Sequence, residues 1–380
     1  MTMSAARIRG ASTSRVSVNL LWCIPTKVGG SEEYLVRQLL GIAEIEPDMP
    51  VTLYVLPAFA EAHPELAATF DIQVASIDGA SRFRRVIAEH FWLARRTRGS
   101  RLVHHGGGTV PARGAGPVVL TIHDLQYLTY PQYFGRIKRA YLNWAMPRSA
   151  ARADVIAVPT EFVRQTVLDA YRVRADRVVV VPHGLEPSIG LHATDEATLR
   201  ARYALGAGPI VVLPAMTHPH KGHQFLLNLM AQQWTDPSLR LVFIGGKGLA
   251  DEAVEESITR LGLAHRVIRT GRVSSADRDG LIKMAHAMVF PSEYEGFGAP
   301  IIEAMAIGTP VICADRTCLP EVAGNAALVL PLELEAWAPA LDTVRGKRAE
   351  MVEAGLLRAA QFTSAVSARA LLVAYELASS

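Results

Sequence analysis

Short runs of Val, Ile and Leu recur along this chain, most of them separated from the next by a stretch with helical periodicity. The first is Val16-Ser-Val-Asn-Leu-Leu-Trp-Cys23, and others follow at Val51–Leu56, Val118–Ile122, Val155–Val158 and Val178–Val181. Continuous apolar runs of this length suit strands buried on both faces, as in a parallel sheet covered by helices. The second half repeats the scheme at Pro209–Leu213, Leu239–Ile244, Val267–Thr270, Ala287–Phe290 and Pro310–Cys313. Alternation of this kind, made twice, predicts an α/β chain of two Rossmann-like doubly wound domains facing a cleft. Strand periodicity lapses between His183-Gly184 and Pro209. The expected division is a tail over 1–14, a first domain over 15–190 and a second over 191–360. A closing helix over 361–380 is expected to pack back on the first domain.

Composition removes several other classes. Half of the 380 residues are hydrophobic and a fifth are charged, which excludes a disordered chain. Cys23, Cys313 and Cys318 are too few to form a disulfide scaffold. The residues before Val16 carry arginines but no apolar segment of a signal peptide, and no run reaches the roughly 18 apolar residues of a membrane span. A cytoplasmic protein is expected. The net charge of +3 is unevenly spread: residues 1–190 carry 22 Lys and Arg against 16 Asp and Glu, while residues 191–380 carry 17 against 20. That asymmetry points to different partners for the two halves, and it is too mild for a nucleic-acid-binding domain.

The residues with the clearest chemistry lie at strand ends. After the run ending at Phe290 comes Pro291-Ser-Glu-Tyr-Glu295-Gly296-Phe297-Gly298-Ala-Pro300-Ile-Ile-Glu303. Glycines before a helix that opens near Pro300 leave backbone N–H groups free to face an anion. Glu295 sits on the loop and Glu303 about one turn into the helix, so one carboxylate can address a group at the helix mouth while the other binds hydroxyls nearby. After Pro209–Leu213 comes His218-Pro-His220-Lys221-Gly222-His223, and a lysine there is a compact charge suited to phosphate. The three histidines lack the companions of a zinc site. Early in the chain, Gly29-Gly30-Ser31-Glu32 links the first run to an amphipathic stretch, with Ser31 expected as helix N-cap.

These residues, taken with Thr121-Ile-His123-Asp124-Leu125, Val180-Val-Pro-His183-Gly184, Val242-Phe-Ile-Gly245-Gly246 and Gly271-Arg-Val, resemble retaining glycosyltransferase family 4, a bacterial mannosyltransferase-like group among them. The likeness runs from about Val16 to about Val329. It implies the GT-B fold and transfer of a hexose from a nucleotide-diphosphate sugar to a glycan or lipid-linked acceptor, in polysaccharide or glycolipid synthesis. GDP-mannose is the first guess for that co-substrate, and no metal or other cofactor is implied. Carried over residue by residue, Lys221 would hold the diphosphate together with the amides of Gly296, Phe297 and Gly298. Glu303 would bind the ribose, Glu295 the donor sugar, and His123 would line the reaction centre. Gly29 and Gly30 would let the first domain's backbone approach the phosphates or the sugar. His123, Glu295 and Lys221 thus form the expected catalytic set. The family usually places an arginine several residues before the lysine, where this chain has Met216, Thr217 and His218.

Other features are weighed against this. Asp277-Arg278-Asp279 matches a metal–nucleotide pattern but follows Ser274-Ser275, where acids suit a helix start. The sequence has neither a phosphate-binding Walker loop nor a dinucleotide-binding glycine pattern after the first run. A nucleotide-sugar epimerase of the same architecture, or a non-catalytic sugar-nucleotide-binding relative, are the alternatives. The stretch Ser81–Arg101 mixes seven arginines with Phe83, Val86, Phe91, Trp92 and Leu93, a composition that can lie on an anionic membrane. The opposing expectation is a solvated arginine face with its apolar side in the core.

Overall fold

The computed structural model describes residues 15–25, 28–114 and 116–380; the expected tail over 1–14 lies outside them. The chain divides into two compact units, Met1–Gly184 with Ser364–Ser380, and Leu185–Thr363. The divisions fall at Gly184/Leu185 and Thr363/Ser364 rather than near 190 and 360.

The first unit is built on seven parallel strands: β1 (Val16–Asn19), β2 (Val51–Val55), β3 (Asp71–Val74), β4 (Leu102–His105), β5 (Val118–Thr121), β6 (Val155–Val158) and β7 (Val178–Val180). Their order is β3-β2-β1-β4-β5-β6-β7, which is doubly wound and reverses direction between β1 and β4. Two of these strands were not anticipated. β3 is an edge strand with polar, partly exposed residues, so it lacks an apolar run. β4 is fully buried, but half of it is histidine. His104 is accommodated by the Tyr375 hydroxyl at 2.9 Å and Thr121 Oγ1 at 2.7 Å, and His105 by Asn19 Nδ2 at 3.1 Å. A buried polar side chain is tolerated when both of its ends are satisfied, and here it reads in the sequence as a gap in the hydrophobic pattern.

The second unit has six parallel strands: β8 (Ile210–Pro214), β9 (Arg240–Ile244), β10 (Val267–Gly271), β11 (Ala287–Phe290), β12 (Val311–Ala314) and β13 (Leu328–Leu330). The order β10-β9-β8-β11-β12-β13 repeats that of the first unit, with its reversal between β8 and β11. Ligands of open parallel sheets bind outside the carboxyl ends of the strands at such a reversal. The loops carrying Lys221 and Glu295 leave from these two strands.

The closing helix, Ser364–Ser379, belongs to the first unit. Its Ala368, Leu371, Ala374 and Tyr375 share a core with Val16, Val18, Tyr34 and Leu39. It lies so close to the helix Gly30–Ile45 that a Cβ on Gly41 would sit 2.2 Å from the carbonyl oxygen of Ser364. Backbone on one side of that contact cannot yield as a side chain could. Gly41→Val is expected to destabilise the first unit by about 1–3 kcal/mol through overpacking, visible as a lower urea midpoint; an unchanged midpoint would contradict the close packing.

Candidate active site

In the second unit the chain leaves β8 through Thr217, which is buried and fixed at both backbone ends. Its N–H donates to the Gly246 carbonyl at 3.2 Å, and its carbonyl accepts from the Ala250 N–H at 3.0 Å. A single turn, Pro219–Lys221, follows, and Gly222 at φ +75° starts the helix His223–Gln232. Any Cβ on Gly222 would lie 2.3 Å from the Pro291 carbonyl oxygen, so glycine here answers both a left-handed backbone and a close approach. The Glu293 N–H, donating to the His220 carbonyl at 2.8 Å, ties the same two loops together.

This arrangement delivers the Lys221 Nζ to 2.5 Å from Glu295 Oε1, with the two side chains only 20% and 12% exposed. A partly desolvated ion pair of this kind is stronger than a surface pair and costly to break by removing one partner. The Glu295 loop is itself held from β12. Its N–H donates to Thr317 Oγ1 at 3.2 Å, and the Cys318 thiol donates to its carbonyl at 3.2 Å. Burial, followed by the nearby Glu295 charge, pushes the Cys318 thiol well above its ordinary range, which keeps the proton it donates. Thr317 adopts φ 51°, a left-handed conformation that disfavours a β-branched residue. Strain of that kind gathers at sites where a loop is held for a purpose. Nothing in the sequence around Thr317 marks it out.

Beyond Glu295 the chain turns through Gly296 to Gly298, at φ +84°, and enters the helix Ala299–Ile307 with Pro300 in its first turn and no side chain capping it. A helix N-terminus of this form favours an anion at its mouth. Glu303 is buried in the next turn, with only 5% exposure. The Phe297 ring is buried edge-on to Phe362 at 5.6 Å, so packing occupies the side chain and leaves the expected role to its backbone amide. The neighbouring histidines carry no charge near neutrality. Burial, then Lys221, lowers His220 to about 3 and His223 to about 4.

The Asp277 and Asp279 carboxylates are taken up by structure. Ser274 caps the helix Ser275–Met284. Asp277 accepts from Tyr203, Thr194 and Arg202, which lowers it to about 2 with the tyrosine bond contributing most, and Asp279 accepts from the Gly190 N–H at 3.0 Å.

In the first unit, β1 leads to the helix Gly30–Ile45. Gly29, at φ +62°, is its N-cap, so Ser31 lies one residue inside the helix and not at the expected cap position. A Cβ on Gly29 or Gly30 would meet no described atom within 4 Å, so the space beside this turn is open. His123 follows β5. Its Nε2–H donates to the Gly106 carbonyl at 2.8 Å, which assigns the lone pair to Nδ1, and Nδ1 is buried with no hydrogen-bond partner among the described residues. Its ring stands 5.7 Å from Trp22 and 5.5 Å from Tyr34. Burial lowers it to about 4. The imidazole is therefore a neutral hydrogen-bond acceptor near pH 7.

Comparison with known proteins bears on both units. Residues 28–189 match the family model described as Glycosyltransferase Family 4, and residues 196–345 that described as Glycosyl transferases group 1. The chain is 29% identical over 231 residues to the O-antigen chain mannosyltransferase B of Escherichia coli, an alignment spanning 60% of each protein, less than two thirds of the relative's length. It is 26% identical over 324 residues to the O-antigen chain mannosyltransferase RfbU of Salmonella typhimurium, covering 83% of this chain and 87% of that one. Among solved structures it is similar to Anabaena HepE in complex with UDP and glucose (TM-score 0.73, 19% identity, 95% and 98% of the two chains). It also resembles the sucrose-phosphate synthase of Thermosynechococcus elongatus (TM-score 0.76, 21% identity, 96% and 99%). These structures share the fold of two doubly wound units. Both family models describe glycosyltransferases, which sets the epimerase alternative aside.

His123 gives a pH test with a definite sign. Its folded-state value lies below the unfolded value of roughly 6.5, so folding favours the neutral ring and the unfolded chain binds the proton more readily. Stability from this group is complete above about pH 6.5 and is lost as pH falls toward about 4. The His123 ring resonances should stay in the neutral form until close to that pH; a titration centred near 6.5 would contradict the buried setting.

Proposed function

The chain belongs to glycosyltransferase family 4, and on that premise we propose that it transfers a hexose from a nucleotide-diphosphate sugar to a glycan or lipid-linked acceptor with retention of configuration. Mannose from GDP-mannose is the first donor we assign, supported by the two O-antigen mannosyltransferases it resembles. The observation that carries the proposal is the Lys221–Glu295 pair beside the uncapped helix Ala299–Ile307, at the carboxyl ends of neighbouring strands β8 and β11.

In this mechanism the sugar–phosphate bond breaks as the anomeric carbon gains oxocarbenium character and the departing diphosphate gains negative charge. Lys221 and the amides from Gly296 to Gly298 meet that charge, which is where preorganised groups lower a barrier most. Glu295 holds sugar hydroxyls and Glu303 the ribose; neither is assigned as a nucleophile, since the helix-mouth position suits binding more than attack. His123 accepts a hydrogen bond from a donor hydroxyl through Nδ1, and the open turn at Gly29-Gly30 admits phosphate or sugar next to the backbone. The acceptor attacks from the face that the diphosphate leaves, and the phosphate takes its proton. No metal takes part in this scheme, and the diphosphate is neutralised by protein groups alone.

We assign the peripheral membrane contact to the first unit. The segment Arg82–Arg96 places Phe83, Ile87 and Phe91 four residues apart on an exposed face, with Phe83 74% exposed. The helix Arg136–Arg152 adds exposed Ile137, Tyr141 and Trp144 and contains no acidic residue. Apolar stripes edged by arginine and lysine suit an anionic bilayer surface, where a lipid-linked acceptor would be met. No described helix is long and apolar enough to cross a membrane.

A thermal-shift panel of GDP-, UDP-, ADP- and dTDP-sugars should single out one nucleotide, with the shift lost in Lys221→Ala and in Glu303→Ala. Turnover of Lys221→Ala is expected to fall about 10²–10³-fold, as for loss of one transition-state donor. A full set of flat melting curves would overturn the donor assignment. The membrane assignment predicts sedimentation with anionic vesicles at low salt, reduced in a Phe83→Ser, Phe91→Ser double variant; protein left in the supernatant would refute it.

A further inference from the structure

A nucleoside diphosphate brings more than one negative charge, and the cations around Lys221 do not match it. Lys221 is already neutralised by Glu295 at 2.5 Å, His220 and His223 are uncharged near neutrality, and the loop from β8 presents Met216 and Thr217.

A further basic side chain, Arg272, stands at the end of β10. The pairing of β10 with β9 shifts register between Arg269 and Gly271, an irregularity of the kind that re-aims a side chain at a sheet end. Gly271 then turns at φ +67°, and its carbonyl accepts from the Gly245 N–H at 3.0 Å. Together these bring the exposed Arg272 side chain back over Gly246: a Cβ on Gly246 would lie 3.5 Å from Arg272 Nε and 3.9 Å from its Cγ. The Gly246 carbonyl in turn accepts from the Thr217 N–H, so the guanidinium stands against the residue that fixes the Lys221 loop.

From this geometry we propose that Arg272 supplies the second positive charge for the donor's diphosphate, in place of the arginine absent from Met216–His218. The proposal rests on the nucleotide-sugar reading above. The guanidinium reaches the phosphates from the β10 end of the sheet while Lys221 reaches them from β8. Its planar fork of N–H groups matches two phosphate oxygens side by side, a geometry that a lysine's point charge lacks.

Calorimetric titration of GDP and GMP into wild type, Arg272→Ala, Arg272→Lys and the double variant Arg272→Ala, Met216→Arg separates the outcomes; UDP and UMP replace them if the donor panel selects uridine. Arg272→Ala should bind the diphosphate roughly tenfold or more weakly, the effect of losing a charged hydrogen bond, and the monophosphate with a much smaller loss. Arg272→Lys should recover only part, and Met216→Arg in the Arg272→Ala background should recover binding from the other side. Unchanged diphosphate affinity in Arg272→Ala, with an unchanged melting temperature, overturns the assignment and leaves the nucleotide-sugar reading standing. Equal loss of both nucleotides also overturns it, placing Arg272 at the nucleoside. Wild type that binds none of the nucleotides would overturn the nucleotide-sugar reading itself.

Discussion

The close approach of Gly222 to the Pro291 carbonyl is the contact on which the second unit's site depends. It presses the loop leaving β8 against the backbone and ring of Pro291, where the loop leaving β11 begins. Because the two strands are neighbours at the reversal of the sheet, the contact joins the points where the chain emerges on either side of that reversal. Lys221 and Glu295 can then form a short, half-desolvated ion pair although 74 residues separate them in sequence. A larger residue at position 222 would push the loops apart and lengthen the pair, and Coulombic attraction in a partly dry site falls quickly once water enters.

The ion pair also sets the resting charge of the site. Lys221 alone would be an exposed cation with many rotamers; paired, it is held in one place before a substrate arrives. Preorganisation of that kind removes part of the entropy cost of binding. In the proposed scheme a diphosphate that enters must compete with Glu295 for the ammonium, so the carboxylate would position the lysine as well as hold sugar.

Much of the architecture was legible from hydrophobic runs, because strands buried on both faces leave continuous Val and Ile segments whatever their neighbours. The strands that escaped were those where this signal fails. β4 hides behind His104 and His105, β3 is an edge, and β13 is only three residues long and partly exposed. At the candidate site, glycine and proline spacing marks the strand-to-helix turn that carries Glu295 and Glu303, and Lys221 is marked by its place just after a strand. Thr317 is unmarked, since what makes it matter is a left-handed backbone and a hydrogen bond to a residue 22 positions away. Phe297 shows the converse: an aromatic residue inside the candidate motif whose ring packs against Phe362. Sequence spacing places a residue at the loop but does not say which way its side chain turns.

The two units solve the same problem of polar groups at strand ends by different means. In the second, charge is opposed by charge, with Lys221 against Glu295 and Arg269 against Asp251, beside the neutral, buried His220 and His223. In the first, β4 and the loop after β5 use neutral histidines that exchange hydrogen bonds with hydroxyls, an amide and a carbonyl. In the proposed reaction, ionised groups suit the place where a departing diphosphate is met. Neutral acceptors suit sugar hydroxyls, whose hydrogen bonds need direction rather than charge, and burial is what holds those histidines neutral. The same burial makes both units sensitive to acid, His220 and His223 of the second included: each imidazole that folding keeps neutral must be protonated at a cost once the pH falls below the ordinary histidine range.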